Sequence, residues 1–81
     1  MRIVKIIERK DVILYLKKRN LFAQYKKAKN FLLLKYFSLV NFKKKKPKKD
    51  KIWYFRINQQ FRALAYFKDD ILVVFDIDNH Q

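Results

Sequence analysis

The chain has 81 residues, with 21 basic side chains against 7 acidic ones and a formal net charge of +14; this is the size of one small domain, and its charge calls for a polyanionic partner, nucleic acid or an acidic protein. About half the residues are apolar, and eight Phe, five Tyr and one Trp supply bulk, so a core can form without covalent staples. Cysteine is absent, which excludes disulfides and thiolate metal sites and fits a reducing, cytoplasmic setting.

In chain order, Arg2 to Ile7 (RIVKII) is predicted to form a short first strand, and nothing near it has the apolar core of a signal peptide. From Asp11 the residues Val12, Tyr15 and Leu16 recur at helical spacing, and the pattern stops near Asn20. A second helix is predicted with Leu21, Tyr25, Ala28, Leu32 and Tyr36 on one stripe and Lys26, Lys27 and Asn30 off it. So short a break implies an antiparallel helix hairpin, or one helix with a kink. The longest apolar run, Phe31 to Phe42, is interrupted by Lys35 and is too short to span a bilayer, so no membrane partner is expected. Leu39 to Phe42 reads as extended and leads into a low-complexity run, Lys43, Lys44, Lys45, Lys46, Pro47, Lys48 and Lys49, in which the proline bars a regular interior strand.

The stretch from Lys51 to Gln81 alternates apolar and polar residues in three short runs, broken at Asn58-Gln59-Gln60 and at Lys68-Asp69-Asp70, which is the pattern of a three-strand antiparallel meander. Trp53, Phe55 and Ile57 are assigned to the core, as are Phe61, Ala63, Ala65 and Phe67. In the last run a two-residue turn would put Asp76 in the core. A buried, unpaired carboxylate costs several kcal/mol, so a three-residue turn is expected, with Ile71, Val73, Phe75 and Ile77 facing inward. The other face then carries Tyr54, Arg56, Arg62, Tyr66, Asp76 and Asp78. A three-residue first turn sets Arg56 directly across from Arg62, a like-charge pair that weakens a sheet unless something anionic lies over it. Asp76 is expected to neutralise one of the two, leaving the other for a phosphate. With no glycine in the chain, left-handed turn positions fall to Asn or Asp, with Asn20, Asn58, Asp69 and Asp70 as candidates. The expected fold is α+β over residues 1–81: an N-terminal strand, then a two-helix hairpin packed on one face of a mainly antiparallel sheet that ends in the meander.

A lysine run alone is most simply a solvated loop. This one abuts the strand that carries Arg56, so Lys43, Lys44, Lys45, Lys46, Lys48 and Lys49 are read as phosphate contacts, giving affinity and salt dependence without base readout. Tyr54 and Tyr66 suit either cross-strand packing or stacking on unpaired bases. His80, the only histidine, follows the strand that bears Asp76 and Asp78; beside Arg56 and Arg62 it would supply the near-neutral group that general acid–base cleavage of a phosphodiester needs. One histidine with Asp76 and Asp78 lacks the ligand spacing of a zinc site, and the surrounding positive charge opposes a divalent cation. Neither a phosphate-binding glycine loop nor a serine triad is possible, since glycine is absent and Ser38 is the sole serine.

The stretch Phe55-Arg56-Ile57-Asn58-Gln59-Gln60-Phe61-Arg62 resembles the "RINxQYR" segment of the RelE/ParE superfamily of type II toxins, and Asp76-Ile77-Asp78-Asn79-His80 resembles the "EIxDYH" ending of its HigB branch, with Asn79 where that ending has tyrosine. The resemblance extends to the element order and implies a RelE-like fold. It also implies a ribosome-dependent mRNA interferase that works without metal or other cofactor, by attack of a ribose 2′-hydroxyl on the adjacent phosphate, and that is held inactive by a cognate acidic antitoxin. By the same resemblance Arg62 matches the family's active-site arginine, Arg56 a basic position on the preceding strand, and Asp78 and His80 the C-terminal active-site cluster. Two alternatives stand beside this: a ParE-like gyrase inhibitor that cuts nothing, and a non-catalytic RNA-binding module.

Overall fold

Residues 2–79 are described by the computed structural model. They form strand β1 (Lys5–Glu8), helix α1 (Lys10–Lys18), helix α2 (Phe22–Leu33), a 3-10 turn at Phe37–Val40, strand β2 (Lys43–Lys44), a second 3-10 turn at Lys48–Asp50, and strands β3 (Trp53–Arg56), β4 (Phe61–Lys68) and β5 (Ile71–Asn79). The five strands make one mixed sheet in the order β1-β5-β4-β3-β2, with β1 parallel to β5 and every other pair antiparallel. The molecule is thus a small α+β domain. Among the described residues no helix is long and apolar enough to cross a membrane.

Both helices bury their apolar stripes against one face of the sheet. Val12 and Leu16 of α1 and Tyr25, Ala28 and Leu32 of α2 share a core with Phe55, Ala63 and Ala65, the last three fully buried. Two alanines side by side on β4 let the helices approach the sheet closely, and the rings of Tyr25 and Phe55 meet with centroids 5.9 Å apart. A second aromatic group closes the β3 end of this layer, where Phe42 stacks on Trp53 at 4.9 Å and Phe67 meets Trp53 edge-on at 5.7 Å.

The helices end without glycine by one repeated device. At the end of α1 the Leu21 amide donates to the Leu16 carbonyl (2.8 Å) and the Asn20 amide to that of Lys17 (3.2 Å), with Asn20 at φ 56°. The end of α2 repeats this: the Tyr36 amide donates to the Phe31 carbonyl (2.8 Å), the Lys35 amide to that of Leu32 (3.0 Å), and Lys35 has φ 67°. The 3-10 turn does it again, with Phe42 bonded to Phe37 (3.1 Å), Asn41 to Ser38 (3.4 Å), and Asn41 at φ 49°. Each is a Schellman closure, and in the last two the flanking side chains pack as that motif favours, Phe31 on Tyr36 and Phe37 on Phe42.

These closures correct several expectations. The first strand covers Lys5–Glu8 rather than Arg2 to Ile7. Tyr36 is not on the α2 stripe; the helix has already ended, and its ring folds back on Phe31 while staying half exposed. Leu39 to Phe42 is not extended, and the strand lies in the first two lysines instead, Lys43 and Lys44, paired with Tyr54 and Trp53. Asn20 and Asp69 do adopt positive φ, but Asn58 and Asp70 do not, and Lys35, Asn41 and Lys51 do.

The meander is present, with one change of register. Across the first turn Ile57 pairs with Phe61 through a 2.9 Å bond, leaving Asn58, Gln59 and Gln60 as a three-residue loop. Asn58 builds that loop through its side chain, whose Oδ1 accepts from the amides of Gln60 and Phe61, both at 2.8 Å. The second turn has two residues, Asp69 and Asp70, because Lys68 pairs with Ile71. Leu72 and Val74 therefore face the helix-side core, where Val73 and Phe75 were expected; Val73 is buried as well, but paired with Tyr66 and outside that cluster. Asp76 still avoids burial, because β5 carries one extra residue where Leu64 pairs with Asp76 and Ala65 with Val74. This bulge at Phe75 returns Ile77 to the core and turns Asp76 and Asp78 outward. The physical constraint on Asp76 was the right one, and a bulge satisfies it where a longer turn was expected.

Candidate functional site

Successive side chains on a strand point to opposite faces, so the sheet face away from the helices receives Tyr54 and Arg56 from β3 and Arg62, Leu64 and Tyr66 from β4. The three-residue loop sets Arg56 directly opposite Arg62, and the bulge sets Asp78 opposite Arg62 on the other side. Arg56, Arg62 and Asp78 thus form one row across three strands.

Arg62 is held from two directions. Its guanidinium donates to Asp78 Oδ2 at 2.9 Å and lies over the Tyr54 ring, 4.6 Å from the centroid. The arginine side chain is 22% exposed and that of Asp78 35%, so water screens this pair only in part. Arg62 Nε is the one buried side-chain nitrogen or oxygen among the described residues that has no hydrogen-bond partner. A buried donor left over on a positioned guanidinium is the kind of group that a ligand oxygen satisfies.

A cavity of about 190 Å³ opens beside it, lined by Asn41, Lys43, Tyr54, Arg56, Gln59 and Arg62. The lining holds three cations, two amides, a phenol and no carboxylate. Asp78 lies across β4 and offsets one positive charge, so the cavity stays cationic. Its size and donor set suit a phosphate group with the sugar that carries it.

The residues singled out from sequence fall into four groups. Arg56, Arg62, Tyr54 and Lys43 come together at this cavity. Asp78 joins them through Arg62, whereas Asp76, expected to neutralise an arginine, accepts instead from the Ile77 amide at 2.8 Å. The bulge explains the exchange, since it pairs Asp76 with Leu64 and Asp78 with Arg62. The remaining lysines do not line the cavity: Lys44 places its Nζ over the Trp53 ring at 5.9 Å, and Lys45, Lys46, Lys48 and Lys49 follow in the connection to β3. His80 lies outside the described residues.

Two lining residues were missed from sequence, Asn41 and Gln59. Gln59 sits at the tip of a loop whose neighbours pin it, because Asn58 Nδ2 donates to Gln24 of α2 at 2.7 Å and Gln60 Nε2 donates to Asn79 Oδ1 at 3.0 Å. For Asn41 a signal was available: an asparagine before a lysine run in a chain without glycine marks a left-handed turn that brings Lys43 beside Tyr54.

A larger cavity of about 350 Å³ shares Arg56 but is otherwise lined mostly by α2 and the Phe37–Val40 turn, among them Lys27, Phe31 and Leu39. It has two cations on a largely apolar wall and lacks the convergence of donors seen around Arg62. No protein-family model matches the chain, and comparison with curated proteins finds no match.

Proposed function

We propose that the protein is an endoribonuclease toxin of the RelE/HigB kind, acting on mRNA at the ribosome and silenced by an acidic antitoxin. The observation that carries this reading is the convergence of Arg62, Arg56 and Lys43 on one cavity, with Arg62 braced by Asp78 and Tyr54. The motif resemblance in residues 55–62 and 76–80 supports it independently of that geometry.

The reaction is an internal transesterification. The ribose 2′-oxygen forms a bond to phosphorus, the bond from phosphorus to the 5′-oxygen breaks, and a 2′,3′-cyclic phosphate and a free 5′-hydroxyl result. The phosphorane gains negative charge along the way, and a guanidinium fixed before the reaction, that of Arg62, stabilises it most. Arg62 cannot swing freely, because Asp78 and Tyr54 hold it. Arg56 and Lys43 are both exposed, and they bind the phosphate oxygens. The proton leaving the 2′-hydroxyl and the proton given to the 5′-oxygen need two carriers; His80 is assigned to one of them, and Lys43, Tyr54 or a ribosomal group to the other.

Asp78 bears on a second reading. It is engaged by Arg62 rather than free to orient a histidine, which favours a cationic RNA-binding module without chemistry. Induced expression separates the two. A nuclease arrests growth and produces new 5′ ends within translated messages, and Arg62→Ala, Arg56→Ala and His80→Ala each lose both effects. If message ends stay unchanged with the wild-type chain, or if the Arg62→Ala and His80→Ala chains cut like it, the nuclease reading fails.

A further inference from the structure

The open face of the sheet continues past the phosphate cavity. Ile52 lies two residues before Tyr54 and extends the β3 ladder, since its carbonyl accepts from the Lys45 amide at 2.7 Å. Two residues of strand span about 7 Å. A second cavity of about 320 Å³ is lined by Arg9, Asp50, Ile52, Tyr66 and Phe75, so Ile52 of its wall and Tyr54 of the first cavity's wall are neighbours on one face of β3. The rings of Tyr66 and Phe75 lie 5.8 Å apart at 42°, and Tyr66 is 42% exposed, a high value for a tyrosine in the middle of a sheet. The bulge that turns Asp76 outward also brings Phe75 to this place.

The chemistry of this cavity differs from that of the first. Two aromatic rings and an isoleucine line it, and its one cation, Arg9, is already paired with Asp11 at 3.2 Å. Its one carboxylate, Asp50, would repel a phosphate. A nucleobase suits it better: the π-face meets the rings, and a ring or exocyclic N–H meets the Asp50 carboxylate. Only an anionic strand gains from bridging the two cavities, because the first binds its phosphate and the second its base.

We propose that the Tyr66–Phe75 cavity is a base-stacking subsite for a single-stranded RNA whose phosphate occupies the Arg56–Arg62 cavity. The proposal rests on the reading of that cavity as an RNA phosphate site, though not on catalysis there. Tyr66 supplies the exposed ring, and Phe75 holds it in place. Asp50 accepts one N–H from the edge of the stacked base, which cytosine supplies through its amino group.

Binding is measured by fluorescence anisotropy with a labelled 2′-O-methyl hexacytidylate, which lacks the attacking hydroxyl and so reports affinity without turnover. A matched series carries one abasic position, moved along the strand. Tyr66→Leu keeps an apolar contact to Phe75 and removes the π-face, and it weakens binding of the intact oligomer by roughly 5- to 150-fold, while Tyr66→Phe binds like the wild type. One member of the abasic series binds the wild type more weakly by a similar factor and no longer distinguishes wild type from Tyr66→Leu. The subsite is overturned if Tyr66→Leu binds the intact oligomer as well as the wild type, or if the loss is the same for every abasic oligomer. It is equally overturned if the oligomer does not bind while poly-glutamate does and Tyr66→Leu weakens that. Arg56→Ala and Arg62→Ala, assayed for cleavage in parallel, keep the two readings apart, because unchanged cleavage with an intact abasic pattern removes catalysis from the Arg56–Arg62 cavity and leaves the subsite.

Discussion

Two ionic clusters occupy this sheet, and they are built on opposite principles. In the first, Glu8 at the end of β1 accepts from the Tyr25 hydroxyl at 2.7 Å and from Lys29 Nζ at 2.8 Å. One carboxylate faces one cation and one phenol, and the cluster is closed. In the second, Arg56 and Arg62 face the single carboxylate of Asp78, and Arg62 retains a buried donor without a partner. Burial is comparable: the Glu8 side chain is 11% exposed and Arg62 22%. Charge balance is what separates them. A balanced cluster has nothing left with which to bind a ligand and serves the fold, whereas an unbalanced one is held together by its surroundings and gains when an anion arrives.

That contrast is tested most sharply at Arg62. On the proposed nuclease reading, Arg62→Ala lowers RNA cleavage by about 100- to 1000-fold, the loss typical of removing one preorganised donor to a developing oxyanion. Its cost in stability should stay below about 1 kcal/mol, because the partner it leaves, Asp78, is partly solvated. Arg62→Lys should rescue little, since an ammonium cannot stack on Tyr54 and bond Asp78 in the same plane. Cleavage rates and urea midpoints on the same preparations check both halves. A large stability loss for Arg62→Ala would mean that the open cluster is structural after all.

The reciprocal change is Glu8→Ala. It strands the Tyr25 hydroxyl in the core and should cost about 1–3 kcal/mol of stability with no effect on cleavage per folded molecule. Denaturant unfolding and activity titrated against folded protein read the two separately, and reduced specific activity would erase the distinction between the clusters.

A pH dependence follows from the closed cluster alone. Burial raises the Tyr25 phenol above the ordinary tyrosine value near 10, and its hydrogen bond to Glu8 and the carboxylate's charge raise it further. The folded chain therefore keeps this proton where the unfolded chain loses it. The corresponding stability is complete below pH 10 and is lost as pH rises beyond it, at about 1.4 kcal/mol per pH unit. Urea midpoints between pH 9 and 11 should fall more steeply for the wild type than for Tyr25→Phe. Equal slopes would show that the phenol ionises freely.

Much of the open cluster was legible in the sequence. Asn58-Gln59-Gln60 interrupts a clean alternation, so the register of β3 on β4 follows from the loop length, and the meeting of Arg56 and Arg62 follows from the register. The register of β5 was not legible. Ile71 to Phe75 are five apolar residues in a row, so no alternation marks Phe75 as extra, and only the cost of burying Asp76 showed that a correction was needed somewhere. The exchanged roles of Asp76 and Asp78 come from that same residue. On the helical side, Tyr36 continues the stripe by spacing, but Lys35 ends α2 in a conformation that glycine or asparagine usually marks, and a lysine there carries no such signal.

The smallest expected effect concerns a lysine kept at a cost in backbone energy. Lys51 has φ 57° and ψ 34°, at the entrance to β3 and beside Ile52 of the open face. A residue with a Cβ is strained there, and glycine is not, although glycine also gives the unfolded chain more freedom to lose. The balance predicts that Lys51→Gly stabilises the fold by about 0.5 kcal/mol. If the charge is kept because this side of the sheet binds a polyanion, the same change should lower the salt dependence of RNA binding by about 0.7 in the slope of log K against log salt. Asp69→Gly is the control, since Asp69 has φ 56° in the β4–β5 turn and aspartate tolerates that region better. It should change stability less and leave the salt slope unlowered. A Lys51→Gly chain that gains stability and keeps the full slope would show that the strain serves no ligand, and the asymmetry between the two clusters would then end at Arg56 and Arg62.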